Sequence, residues 1–209
     1  MIKIIAIERE FGCNASAIAE TLGKRLGWKV MDQSLTEEVA RIAQVARTVV
    51  EQREECMDPL LYRLTKVFRY GSHERALPVS GQEVFDADRM IELVQKVVEE
   101  TAATGNCVIV GRGSAFFLRE RTDTLRVFLF APREFKLRFL QEQTQTEARA
   151  NELVDSVDRN RRAFVKHYFR VEWPHRPAYH AMLNTELGDD FVLTTIQDLM
   201  DALNKKEAP

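Results

Sequence analysis

Residues 7–16 read Ile7-Glu8-Arg9-Glu10-Phe11-Gly12-Cys13-Asn14-Ala15-Ser16, and the reading of this stretch decides the fold. Before it, Ile2 to Ile7 is almost wholly apolar and rich in isoleucine, which suits a strand covered on both faces. After it, Ile18, Ala19, Leu22 and Leu26 recur at helical spacing, and Gly27 stands where a helix C-terminus favours glycine. A strand, a tight turn and a helix in this order can cradle phosphate. The turn aims backbone N–H groups at the oxygens, and the helix start adds a favourable field. Gly12 could supply the turn, Asn14 tolerates left-handed backbone, and Ser16 is placed as either an N-cap or a magnesium-side hydroxyl. The lysine that bridges terminal phosphates in such loops is replaced by Ala15. Taken alone, the segment reads as a capped strand–turn–helix.

Working outward, Trp28 to Met31 is a short second strand ending at Asp32, and Ser34 with Glu37 forms a capping box for a helix running to Val49. This βαβα order favours a parallel α/β sheet. Residues 51–84 are helical in pattern but interrupted at Met57-Asp58-Pro59 and Leu77-Pro78-Val79-Ser80-Gly81, and they read as a helical lobe. Phe85 to Ala103 is a long helix with Met90, Ile91, Val94, Val97 and Val98 inward. Cys107 to Val110 and Leu125 to Ala131 are buried strands, with Pro132 at the first turn of the next helix. A charged helix spans about 146–169, Tyr179 to Asn184 is a last strand, and a helix runs from Thr195 toward Leu203.

Composition narrows the function classes. The 209 residues are 45% hydrophobic and 30% charged, enough for a sizeable core under a polar surface. A net charge of −2 leaves no broad electrostatic footprint for DNA, RNA or an anionic membrane. Anion binding must therefore come from a local cluster of Arg and Lys. Cys13, Cys56 and Cys107 lie far apart with no CxxC pair, so neither a disulfide framework nor a zinc knuckle is indicated. The apolar start is too short for a signal peptide or a membrane span, so the expectation is a soluble, cytoplasmic protein with reduced thiols.

Two further segments carry chemistry. Gly111-Arg112-Gly113-Ser114 follows a buried strand, where a side chain projects into the ligand crevice of an open α/β sheet. There Arg112 either grips a phosphate with its planar fork or is a solvated arginine on a flexible turn. Asp155-Ser156-Val157-Asp158-Arg159-Asn160-Arg161-Arg162 is the other segment. Asp155–Arg159 and Asp158–Arg162 have i,i+4 spacing, so it is either a salt-bridged surface face or an arginine-bearing flap over polyphosphate.

The order of these pieces resembles the cytidylate kinase-like family of P-loop nucleoside monophosphate kinases over nearly the whole chain. The residues that carry it are Ile7 to Ala19, Val108-Ile-Val-Gly-Arg-Gly113, Asp155 to Arg162 and His180-Ala-Met-Leu-Asn-Thr185. The resemblance implies a three-layer α/β/α fold with a parallel sheet, of the P-loop NTPase and nucleoside monophosphate kinase type. It implies one domain over 1–209, with a core of 1–50, 104–145 and 178–209, an acceptor lobe at about 51–103 and a lid helix at about 146–177. It implies transfer of the ATP γ-phosphoryl group to CMP, dCMP or a related monophosphate, with ATP and Mg2+ as cofactors. Gly12, Cys13, Asn14, Ala15 and Ser16 would surround the donor phosphates, with Ser16 on magnesium. Arg112 would grip the acceptor phosphate, and Asp32 would sit near the acceptor nucleoside or orient an arginine. Arg159 and Arg162, with Arg161 as a third candidate, would be catalytic lid arginines, and Asn184 and Thr185 would lie near adenine.

Three positions depart from the classical family pattern: Ala15 for lysine, Val110 for an acidic residue, and Gly113 for aspartate. The cytidylate kinase-like branch also tends to lack the lysine, but its SREYGSGG-type loop is richer in glycine than Cys13-Asn14-Ala15. Arg9 either substitutes for the missing cation or pairs with Glu8, Glu10 or Asp32. Two alternatives to a kinase follow: a non-catalytic nucleotide binder that lost the lysine, and a helical interaction scaffold using Tyr62 to Tyr70 or Tyr168 to Trp173.

Overall fold

The computed structural model describes residues 1–32, 87–144 and 147–206. The helix expected from Ser34 to Val49 and the interrupted lobe of 51–84 lie outside the described residues. Five strands, β1 (Ile4–Arg9), β2 (Lys29–Met31), β3 (Cys107–Val110), β4 (Thr124–Phe130) and β5 (Ala181–Asn184), form one sheet in the order β2-β3-β1-β4-β5. Every pairing is parallel.

Parallel strands need crossovers, and six helices are described: α1 (Ala15–Leu26), α2 (Ala87–Thr104), α3 (Ser114–Phe117), α4 (Arg133–Thr144), α5 (Glu147–Phe169) and α6 (Asp189–Lys206). The period-2 alternation of the strands sorts them into layers. Ile5, Ile7, Val108, Val127 and Leu129 pack with Ile18 and Leu22 of α1 and Val192 and Ile196 of α6. On the other face, Ile4 and Ile109 meet Val94, Val97 and Val98 of α2. Both faces are covered, which is why β1 and β3 are buried at every residue.

Several boundaries differ from expectation, three of them for a local reason. Strand β1 ends at Arg9 rather than Ile7, because its pairing with β4 continues to Arg9 opposite Leu129. Glu8 and Arg9 are therefore sheet residues, not loop residues. Strand β5 begins at Ala181, since Tyr179 is buried among aromatic side chains. Helix α6 starts at Asp189, where Asp189 and Asp190 in the first turn complement the helix dipole.

The aromatic stretch near the end of α5 is also accounted for by packing. Phe169 stacks on Phe116 at 4.5 Å between centroids, and Trp173 meets Phe128 edge-on at 5.4 Å. Among the described residues, no helix is long and apolar enough to cross a membrane.

Candidate functional site

The chain leaves β1 for β2 and β3 on one side and later for β4 and β5 on the other. The carboxyl ends of β1 and β3 thus flank the topological switch point, where open α/β sheets bind ligands. Arg9 closes β1 and Arg112 follows β3, so two guanidinium groups are delivered to one crevice.

The turn after β3 is shaped to aim Arg112. Gly111, Arg112 and Gly113 have φ of +72°, +62° and +72°, three consecutive left-handed residues. For arginine this backbone costs about 1–2 kcal/mol, a cost tolerated only where the surroundings hold the residue in place. A Cβ at Gly111 would overlap Nη1 of Arg9, and one at Gly113 would lie 2.9 Å from the Phe169 ring. Gly111→Ala is therefore expected to lower stability by about 2 kcal/mol in urea titration and to push Arg9 off Asp32.

Asp32, after β2, organises the other side. Its Oδ1 accepts from Nη2 of Arg9 at 3.1 Å, and its Oδ2 accepts from Oγ of Ser16 at 2.7 Å. Of the three carboxylates offered as partners of Arg9, Asp32 is the one that its guanidinium reaches. Asn14, at φ +57°, is the N-cap residue of α1, so Ser16 is inside the helix and is not its cap.

The third guanidinium comes from α5, and it is Arg161. Its Nη1 donates to the carbonyl of Arg9 at 2.9 Å and lies 3.4 Å from Oδ1 of Asp158. Arg159 and Arg162 are exposed, feeling Asp155 and Glu172 respectively. The i,i+4 pairs expected along α5 are replaced as well. Asp155 bonds Arg133 of α4, and Asp158 pairs with Arg161 and Lys136. A signal for Arg161 was present: Val154, Val157, Asp158, Arg161 and Val165 recur at helical spacing, one stripe along which Arg161 sits.

Glu8, Arg9, Arg112 and Arg161 line the polar side of a cavity of about 30 Å3, closed on the other side by Phe164, Val165 and Trp173. Burial and then the neighbouring Arg9 push Arg112 down to about 9. Burial, with Arg9 again adding repulsion, lowers Arg161. Burial raises the Glu8 carboxyl despite the cations beside it. Each shift signals charges that water no longer screens.

The loop itself is tied down from α4 and α5. Asp158 accepts from the Phe11 N–H at 2.8 Å, and Lys136 Nζ reaches Glu10 at 2.8 Å and Asp158 at 3.5 Å. Lys136 escaped sequence reading, although it precedes the buried Leu140 by one helical turn. The Cys13 thiol donates to the Glu10 carbonyl, and burial pushes it up to about 12, so it is no nucleophile. Ala15 packs into the core, while the first intrahelical bond runs from Ile18 N–H to the Asn14 carbonyl. The N–H groups of Ala15, Ser16 and Ala17 precede it and have no intrahelical acceptor. Beyond the loop, Asn14 Nδ2 donates to Asp189. Asn184 caps a short turn through the Glu186 N–H, and Thr185 is buried beneath the Phe130 carbonyl.

Comparison with known proteins agrees with this architecture. The model of the cytidylate kinase-like family matches residues 4–187. A crystal structure of an uncharacterized protein from Eubacterium ventriosum superposes with a TM-score of 0.69 at 17% identity, covering 97% of this chain and 99% of that one. Gluconokinase from Sinorhizobium meliloti gives 0.54 at 10% identity, over 99% and 98% of the two chains. Shikimate kinase from Acinetobacter baumannii, in complex with shikimate, gives 0.51 at 14% identity, over 100% and 97%. No curated protein matches the sequence. These likenesses establish the fold: a three-layer α/β/α arrangement of the P-loop kinase type.

Proposed function

The chain belongs to the cytidylate kinase-like family, and on that premise we propose that it transfers the γ-phosphoryl group of ATP to a nucleoside monophosphate, CMP, dCMP or a relative. The observation that carries this reading is the convergence of Arg9, Arg112 and Arg161 on one cavity beside the phosphate-type loop. Phosphoryl transfer needs positioning and charge neutralisation more than a covalent nucleophile, and arginine forks supply both. Arg112 would grip the acceptor phosphate, with Arg9 held beside it by Asp32. Arg161 would act as the lid arginine over the transferred group, and Arg159 and Arg162 would meet the nucleotide only if α5 turned. Residues 51–103 would form the acceptor lobe and 146–177 the lid.

The donor phosphates would lie against the N–H groups of Ala15 to Ala17, between Gly12 and Ser16. Magnesium fits the pair Ser16 and Asp32, whose oxygens are 2.7 Å apart. Mg2+ takes hard oxygen ligands and completes its shell with water and substrate phosphate, so one carboxylate and one hydroxyl suffice. When bound it would neutralise charge on the phosphates. The loop around Asn184 and Thr185, at the end of β5, would lie near adenine, with the buried Thr185 holding it from beneath.

A second reading, a nucleotide binder without turnover, is favoured by one observation: Ala15 is part of the hydrophobic core, so no cation extends from that position. Coupled ADP release separates the two readings, using ATP, magnesium and a panel of nucleoside monophosphates with shikimate as a further acceptor. Turnover with CMP or dCMP, lost in Arg161→Ala, is the expected result. Binding by calorimetry without ADP release from any acceptor would replace the kinase reading with the second.

A further inference from the structure

We propose that Glu8 is a specificity-determining residue of the arginine cavity, donating a hydrogen bond as a neutral carboxylic acid to a bound tetrahedral oxyanion. The inference rests on the reading of this cavity as a phosphate site and deepens it. Glu8 is 7% exposed, lines the cavity, and its Oε1 has no hydrogen-bond partner among the described residues. A buried carboxylate oxygen left unbonded is costly, and on a residue that lines the cavity it points to a partner that arrives with the ligand.

The groups facing Glu8 come from every element around it. Arg9 is its neighbour on β1, Arg112 follows β3, Arg161 comes from α5, and the Ala115 N–H of α3 bonds its carboxylate. Tyr179, ahead of β5, feels the Glu8 charge, and its buried hydroxyl is also without a partner among the described residues. In a space of about 30 Å3, an ionised carboxylate and an incoming oxyanion would stand side by side. Repulsion between two such charges pushes the Glu8 carboxyl further up, against the pull of the guanidinium groups, and a protonated Glu8 turns that repulsion into a hydrogen bond. The guanidinium groups stay protonated throughout, so Glu8 is the group that gains the proton. It is taken from solvent when Glu8 is ionised in the free protein, and no other bond forms or breaks. The raised carboxyl already lies in this direction.

Donor number then sets the ligand class. With Glu8 protonated, four of the side chains that line the cavity carry donors. A carboxylate offers two oxygens, whereas the end of a phosphate monoester offers three. The selected group is the tetrahedral one.

Inorganic sulfate tests this with the full chain, because sulfate does not titrate over the range used. Its dissociation constant is measured by calorimetry from about pH 5.5 to about pH 8.5 for wild type, Glu8→Gln, Glu8→Ala and Arg112→Gln. Wild-type affinity should fall by about tenfold per pH unit once Glu8 ionises. Glu8→Gln, whose amide donates at every pH, should be flat and at the alkaline end bind at least about tenfold more tightly than wild type. Glu8→Ala should bind more weakly than Glu8→Gln throughout. Parallel pH profiles for wild type and Glu8→Gln, with binding lost in Arg112→Gln, would overturn the role of Glu8 and leave the phosphate site standing. Sulfate binding that is absent from wild type and Glu8→Gln alike, or untouched by Arg112→Gln, would remove the phosphate-site reading itself.

Discussion

Replacing Arg112 with glutamine is expected to lower the proposed phosphoryl transfer by a factor of about a hundred to a thousand, the usual cost of removing one preorganised charge-stabilising donor. The loss should exceed that from Arg159→Ala or Arg162→Ala, whose side chains are exposed. The same substitution should raise the thermal midpoint of the free protein. Burial and Arg9 hold Arg112 down at about 9, well below its ordinary value. A base whose folded value is depressed binds its proton less readily in the folded state, so the charged form opposes folding wherever pH lies below the ordinary value. Glutamine removes that opposition at neutral pH. Lost turnover with gained stability is the signature of a residue kept for its ligand, and a structural arginine would lose both. Steady-state kinetics and a thermal melt on the same preparation check the pair.

Replacing Lys136 with methionine is expected to destabilise the fold by about 3 kcal/mol, because removing one partner of a buried ion pair leaves the other charge uncompensated. The lysine side chain is 9% exposed and serves two carboxylates, Glu10 and Asp158. For a domain of this size the thermal midpoint should drop by roughly 10 °C. The deficit should shrink as the solution is made acidic. Burial raises the Asp158 carboxyl above its ordinary value, and loss of Lys136 would raise it further. An acid with a raised folded value is neutral, and harmless, below its unfolded value, and becomes a burden as pH rises through the folded value. Urea titrations at neutral pH and at about pH 4 should therefore converge. An equal deficit at both would show that the lysine acts through packing of its stem against Gly12 and not through its charge.

The consequence reaches the loop. Asp158 fixes the Phe11 N–H, so the same ion-pair network that holds α4 and α5 together sets the backbone of the phosphate-type turn. Thermodynamic damage at Lys136 and weaker nucleotide binding should appear together.

Much of the fold was legible because a parallel sheet buried on both faces needs apolar runs. Ile4 to Ile7, Cys107 to Val110 and Leu125 to Phe130 are such runs, and they form β1, β3 and β4. Arg112 was legible as a site candidate because a residue between glycines at the end of a buried strand has few other places to point. Glu8 was read only as a possible partner of Arg9. Its role in the cavity depends on β1 pairing with β4 for two residues beyond the apolar run, which the hydropathy pattern does not record.

The choice among three arginines on α5 shows where local spacing ends. Charge alone does not distinguish Arg159, Arg161 and Arg162, and i,i+4 counting pairs the wrong two with Asp155 and Asp158. The rotation of α5 about its axis decides, and that rotation is set by Val154, Val157 and Val165 seeking the interior.

By itself, then, the sequence determined the layer order, the family resemblance, the glycine turn that presents Arg112, and the loss of a lysine at Ala15. These are local matters of periodicity, turn chemistry and residue identity. Only the tertiary structure decided that Arg9, Arg112 and Arg161 share one cavity with Glu8, and that Asp32 joins Arg9 to Ser16. Those residues are separated by up to 153 positions, from Glu8 to Arg161. Their proximity follows from strand order and helix rotation, quantities that the whole core sets at once.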